Sequence, residues 1–435
     1  MGNGYWKVFQ KDLKTTHKNP SSQRQKRLEK LLIKSLLIFI LTYIIISAQK
    51  TKWHKLDRPS GALLGAVLMV LTGVLTLDEA YRAIDFNTIL LLLGMMLLIT
   101  YLKIANCFKY LSYFLVTHAR NSFLLLCFVS FSSGILSALF VNDTICLMFT
   151  PLLILALQQM QLNPVPYLIA LATSSNIGSV VTLTGNPQNM LIGVFSKIPY
   201  LDFTMHLIPI GFLSLIANVL IIYMIFREDI NFKKINPIQL VQPELDIKLT
   251  VKSMSVLFLI FLGFIFTGNL PLSAITGGLA LIIISGVKPQ YAMEKVDWTL
   301  LLFFCGLFIV VGGIHKAGFL TLAHNTIEPY LGDTIPSQVV RFSTFSVVAS
   351  NLVSNVPFVL LSATWIDKFI DSKTMWYVLA MSSTFAGNLT IMGSVANMIV
   401  LELSKEHVHI GFWDFSKVGF TTTLISTMIG IFILM

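Results

Sequence analysis

The stretch "SSNIGSVVTLTGNPQN", Ser174 to Asn189, contains no charged residue, yet it is crowded with hydroxyls, amides, glycines and a proline. Apolar chain flanks it, "VPYLIALAT" before and "MLIGVF" after Asn189. Gly, Ser, Asn and Pro are poor residues for a helix interior. Irregular backbone at membrane depth is tolerated only where protein or water covers it. The stretch therefore predicts a break in a spanning helix that lines a cavity. Asn186 followed by Pro187 reads as an N-cap with proline at the first helical position. A half-helix would begin there, its first amides and positive dipole end facing the cavity.

The rest of the chain supplies the membrane context. Of 435 residues, 55% are hydrophobic and 12% charged, against about 25% charged in soluble domains. Apolar stretches close to spanning length recur throughout, which predicts a polytopic membrane protein. The net charge of +10 sits in short loops and the N-terminal tail, as suits anionic lipid, and requires no nucleic acid. Cys107, Cys127, Cys146 and Cys305 lack metal or redox spacing. There is no GxxxxGK[ST] loop and no Ser/His/Asp set, so neither ATP hydrolysis by that route nor an enzyme is indicated.

The longest polar interruption, 227–252, divides the chain near its middle. "DFNTILLLLG" from Asp85 meets "DWTLLLFFCG" from Asp297, "GNPQNM" from Gly185 meets "GSVANM" from Gly393, and Asn142 meets Asn355. The order of these matches predicts an internal duplication. The expected organisation is a basic polar tail at 1–30, a first repeat at 31–226, a central loop at 227–252 and a second repeat at 253–435. The apolar run 35–49 is short for a span. Each half carries one odd element with a central asparagine, 122–160 around Asn142 and 342–366 around Asn355, read as re-entrant hairpins. For 122–160 the other reading is two ordinary spans with Asn142 and Asp143 in a surface turn. The fold class expected is all-α and polytopic: an inverted repeat of about five transmembrane helices each, with two re-entrant hairpins and broken helices.

The cap grammar recurs. Asn142-Asp143-Thr144 suits the start of one hairpin arm, Ser354-Asn355 with Pro357 the other, and Gly393-Ser394 a half-helix after "GNLTIM". Four half-helix N-termini would then converge, offering amides to an anion and carbonyl, Asn, Ser and Thr oxygens to Na⁺. Asp143, the only charged residue between Asn121 and Ser196, reads either as a coupling carboxylate or as a helix-capping one. The expected substrate and ion site comprises Asn142, Asp143, Thr144, Asn176, Gly185, Asn186 and Asn189 from the first half. Ser354, Asn355, Asn388, Gly393, Ser394 and Asn397 come from the second, with any Na⁺ near Asn142, Asp143 and Asn355. Glu402 reads as an interfacial helix end, and Lys103 and Lys316 as lysines reaching the interface.

"VNDTICLMFTP", "SNIGSVVTLTGNPQN", "SNVPFVLL" and "GNLTIMGSVAN" together resemble, in this order, the motifs of the ion transporter superfamily. That group includes the arsenite permeases, the NhaD-type sodium/proton antiporters and the divalent-anion/sodium symporters. The resemblance covers roughly 60–435 and is strongest to the bacterial arsenite-permease-like anion permeases. It implies an inner-membrane secondary carrier, often dimeric, with an elevator-type motion of its hairpin domain. The substrate implied is a small anion such as arsenite, with Na⁺ or H⁺ as coupling ion and no other cofactor. A Na⁺/H⁺ antiporter, or an anion channel subunit energised by a separate ATPase, remain the alternatives. Outside the tail, Lys and Arg concentrate in 50–60, 103–121, 227–252, 288–298 and 402–417, which places those loops in the cytoplasm.

Overall fold

The computed structural model describes residues 22–48, 57–230 and 240–435. All regular structure there is helical. Ten helices form the first set: α1 (Ser22–Ala48), α2 (Arg58–Leu71), α3 (Leu77–Ala83), α4 (Phe86–Ile104), α5 (Cys107–His118), α6 (Ser122–Leu139), α7 (Asn142–Gln159), α8 (Val165–Ser179), α9 (Pro187–Ser196) and α10 (Tyr200–Ile225). Ten more follow: α11 (Ile247–Thr267), α12 (Leu270–Ile284), α13 (Pro289–Glu294), α14 (Trp298–Lys316), α15 (Phe319–Leu331), α16 (Ile335–Val353), α17 (Asn355–Ser362), α18 (Ser372–Ala386), α19 (Val395–Ser404) and α20 (Phe412–Leu434). Element by element the second set repeats the first. The α4 and α14 pair agrees at both ends at one spacing, and so does the α9 and α19 pair at a slightly shorter one.

Among the described residues six helices, α4, α6, α10, α11, α14 and α20, are long and apolar enough to cross a membrane. Their outer faces expose large apolar side chains, among them Phe258, Phe266 and Phe432, which a bilayer covers and water would not. The chain is a multi-span membrane protein.

Several boundaries differ from those read in the sequence. Residues 35–48 of the apolar run belong to a 27-residue helix that starts at Ser22, so the last residues of the expected polar tail, 22–30, are helical. Residues 1–21 lie outside the described residues. The central loop ends by Asp246, whose carboxylate caps α11 by accepting from Leu249 N–H at 2.9 Å. The second hairpin begins at Ile335 rather than 342, where Thr334 and Ser337 form a capping box. Its return arm, α17, has only eight residues and runs into a 3₁₀ turn at Ile366–Lys368.

The chain divides into two compact units, 1–90 with 297–330, and 91–296 with 331–435. Each draws helices from both halves. In the first unit α14 crosses α2 so closely that a Cβ on Gly306 would lie 2.7 Å from the Ala62 carbonyl carbon. In the second unit α4 crosses α12, and a Cβ on Gly94 would lie 2.3 Å from the Ala274 carbonyl carbon. Gly94 and Gly306 are repeat equivalents, and so are Ala62 and Ala274. The second unit also holds Lys316's counterpart region, but Lys316 itself stays in the first. There its ammonium does not reach the interface alone: it binds Glu79 at 2.6 Å.

Within the second unit α8 is buried from Pro166 to Ser179 and α18 from Met375 to Ala386. These are the innermost helices, and they are rich in hydroxyls. α10 and α20 run antiparallel beside each other. Asn218 accepts from Thr422 Oγ1 at 2.9 Å, and eight residues earlier Ile210 packs against Gly430. Midway stand Ser214 and Ser426, which are repeat equivalents.

Candidate functional site

Both innermost helices stop inside the protein. α8 ends at Ser179, and the chain then turns irregularly to Asn186 before α9 begins. The side chain of Asn186 accepts from Asn189 N–H at 2.8 Å, and Pro187 takes the first helical position. Asn189 closes the break from the other side. Its Nδ2 donates to the carbonyls of Ser179, Val180 and Thr182, at 2.9–3.2 Å, satisfying the free end of α8. The second half repeats this device. α18 ends at Ala386, Ser394 caps α19 through Ala396 N–H at 3.2 Å, and Asn397 Nδ2 donates to the carbonyls of Gly387 and Thr390 at 2.7 and 3.1 Å. Burying such carbonyls unpaired would cost about 1–3 kcal/mol each, so the two asparagines are what allow helices to end here.

The hairpin tips lie against these breaks. Asn142 is 5% exposed, and its backbone N–H donates to the Gly185 carbonyl at 3.1 Å. The tip is therefore held inside the protein rather than in a surface turn. Asp143 and Thr144 follow in the first turn of α7, both half-buried. The second tip is fastened by Asn351, whose Nδ2 donates to the Ala386 carbonyl at 3.0 Å and whose Oδ1 accepts from Thr390. Gly393 sits under that amide, where a Cβ would come within 2.7 Å of Asn351 Nδ2.

Two of the four expected caps are not made by side chains. α7 starts after Val141 with no side-chain cap, because the Asn142 amide is used elsewhere. α17 starts after Ser354, also uncapped, with Ser354 at φ +75° and ψ 150°. That region is reached readily only by glycine and costs other residues about 1–3 kcal/mol. Asn355 instead accepts from Ser350 Oγ at 2.9 Å.

Asn176 stands at the centre. Its Nδ2 donates to Asn388 Oδ1 at 2.8 Å and Asn397 Oδ1 at 3.0 Å. Its Oδ1 accepts from Asn142 Nδ2 and Ser394 Oγ, both at 2.9 Å. Asn388 Nδ2 continues the network to the Thr173 carbonyl at 3.2 Å. One side chain thus joins the first hairpin tip to both broken helices. Beside it Asn186 Nδ2 and Gln188 Nε2 reach Thr384 Oγ1 of α18, at 3.2 and 3.4 Å. Thr384, Gln188, Ser350 and Asn351 were not singled out from sequence. No Lys, Arg or His occurs in 122–196, 342–366 or 374–401. In place of cationic side chains, the helix starts at Asn142 and Ser394, which bond Asn176, and the nearby Asn186 start bring the N-terminal ends of α7, α19 and α9 to this region. Among the described residues no cluster of His, Cys, Asp and Glu could hold a transition metal.

A polytopic helical protein with hydrogen-bonded chain breaks buried among its spans has the build of a secondary transporter, not of an enzyme. Residues 41–386 match the citrate transporter family, CitMHS, and the chain belongs to that family. It is 30% identical to the silicon efflux transporter LSI3 of Oryza sativa subsp. japonica, over 86% of this chain and 92% of that protein. It is 26% identical to the putative transporter arsB of Dictyostelium discoideum, over 91% of each. The crystal structure of the Alcanivorax borkumensis YdaH transporter shares its fold, with a TM-score of 0.57 at 13% identity, covering 94% of this chain and 97% of that one.

Proposed function

We propose that the chain is a secondary active carrier for a small inorganic or organic anion, arsenite among them, coupled to Na⁺ or H⁺. It works as an inverted repeat whose two re-entrant hairpins present their tips to two broken helices. The substrate and ion site lies at that meeting. Asn142, Asp143, Thr144, Gly185, Asn186 and Asn189 serve it from one half. Ser354, Asn355, Asn388, Gly393, Ser394 and Asn397 serve it from the other. Asn176 joins them.

The convergence of the first hairpin tip and both broken helices on the Asn176 network carries this reading. Buried amides and hydroxyls in such number are expensive to keep in a membrane protein unless they are used. The antiparallel packing of α10 on α20 about the Ser214 and Ser426 pair supports inversion of the second half. The names of the relatives, a silicon efflux transporter and an arsB protein, favour a small oxoacid or its anion as cargo. The resemblance to bacterial anion permeases favours an inner-membrane location, the basic loops favour their cytoplasmic placement, and a homodimer completes the proposal.

The test is flux in proteoliposomes. Arsenite, silicic acid, phosphate, sulfate, citrate and chloride are offered with and without a Na⁺ or pH step. Flux of one substrate that depends on one ion gradient supports the reading. Cation exchange indifferent to every substrate would replace it with an antiporter.

A further inference from the structure

The two hairpin-tip asparagines are repeat equivalents, yet they are used in opposite senses. At Asn142 the amide nitrogen is consumed by Asn176 and the carbonyl Oδ1, fully buried, has no hydrogen-bond partner among the described residues. At Asn355 the carbonyl is consumed by Ser350. Its Nδ2 makes no hydrogen bond among the described residues and lies over Gly387, where an added Cβ would be 3.2 Å away. Asn355 is 8% exposed.

The orientation of Asn142 follows from the network. Asn388 and Asn397 each point Nδ2 at backbone carbonyls, of Thr173 and of Gly387 and Thr390. Those carbonyls can only accept. Both side chains therefore offer oxygens to Asn176, which must answer with its own nitrogen. Its oxygen is then left for Asn142, which must donate. The Asn142 carbonyl is turned away from Asn176 as a consequence. With all four of its hydrogen-bonding positions taken by protein groups, Asn176 is a positioning residue and not a ligand.

Resting on the site proposed above, we infer that the two tips of the carrier have opposite polarity, Asn176 turning the Asn142 carbonyl outward and Ser350 leaving the Asn355 amide nitrogen open. Asn142 Oδ1 accepts and Asn355 Nδ2 donates. The substrate class that satisfies both is an oxoacid that keeps a hydroxyl group, donating through it to Asn142 and accepting from Asn355 through an oxygen. An anion with acceptors alone leaves Asn142 Oδ1 unpaired, and such a mismatch is strongly discriminated against.

Matched probes test this in binding and flux: silicic acid, phosphate and citrate carry a hydroxyl, whereas sulfate and tricarballylate do not. Wild type is expected to favour the hydroxylated members by at least about tenfold over phosphate's and citrate's matched partners. Asn176→Ala frees the Asn142 amide to rotate, and the preference should shrink rather than the rate alone. Ser350→Ala releases only Asn355 and leaves Asn142 Oδ1 fixed as an acceptor, so the hydroxyl preference should persist there; the wild-type ratio keeps the test alive if Asn176→Ala does not fold. Equal handling of phosphate and sulfate by wild type, an unchanged preference ratio in Asn176→Ala, or loss of the preference in Ser350→Ala would overturn the inference. Asn142→Ala separates the two levels: wild-type flux in that variant sinks the site itself, whereas its loss with an unchanged ratio in Asn176→Ala sinks only the polarity argument.

Discussion

Asn176 of α8 and Asn388, two residues beyond the end of α18, meet through their side chains at 2.8 Å. The bond ties the buried end of one broken helix to the chain break of the other. The network around this bond couples the two broken helices, so each should feel substitutions in the other. Asn176→Ala and Asn388→Ala are expected to destabilise the protein non-additively, with a coupling of about 0.5–3 kcal/mol. A double-mutant cycle on thermal unfolding in detergent measures it. Strict additivity would mean that the bond carries no coupling.

The strained Ser354 leads to a second expectation. Its backbone at φ +75° costs about 1–3 kcal/mol, and glycine returns about 0.5–1 kcal/mol of that through its freer unfolded chain. Ser354→Gly should raise stability by about 1 kcal/mol and Ser354→Val should lower it. Melting of the two variants in the same detergent decides the sign.

The close crossings set a third. Gly94→Val would drive a side chain into the Ala274 backbone, and Gly306→Val would drive one into that of Ala62. Neither neighbour is a flexible side-chain end, so overpacking should cost at least the usual 1–3 kcal/mol or so. Gly94→Val, with the tighter approach, should yield the less monodisperse protein by size-exclusion chromatography.

Much of this architecture is readable in the sequence, and the reason is physical. A break in a buried helix must supply its own caps, and so Asn186-Pro187 and Gly393-Ser394 announce themselves by residue type. The hairpin tips were harder. Asn142 and Ser354 look like caps, but tertiary partners claim Asn142, and Ser354 holds a conformation that no local propensity favours. Thr384 and Ser350 were missed because a hydroxyl within an apolar helix has no signature of its own. A signal did exist: Ser130, Ser133 and Ser137 of α6 recur as Ser343, Ser346 and Ser350 of α16, all wholly buried. Aligning hydroxyls between the halves would have exposed both hairpins. Lys316 was read from its position at a helix end, whereas its partner, Glu79, is distant in sequence.

That ion pair gives the pH expectation. Burial pushes the Glu79 carboxyl up, but the bonds from Lys316 and Thr76 and the Lys316 charge outweigh it, leaving the group below its ordinary value. A carboxylate with a lowered folded pKa adds stability above its unfolded value, about 4.3. That contribution disappears as pH falls through the folded value. Stability of the wild type should therefore drop on acidification over that window, and Glu79→Gln should flatten this part of the drop. Identical acid limbs in melts of the two proteins would show that the pair contributes nothing.

The most direct test of the site is flux through Asn142→Ala and Asn355→Ala, each reconstituted at matched orientation and density after a monodisperse chromatographic profile. With the substrate and gradient that drive the wild type, both variants should lose transport while their melting temperatures stay within a few degrees of it. Wild-type rates in both would contradict the placement of the transport site at the hairpin tips.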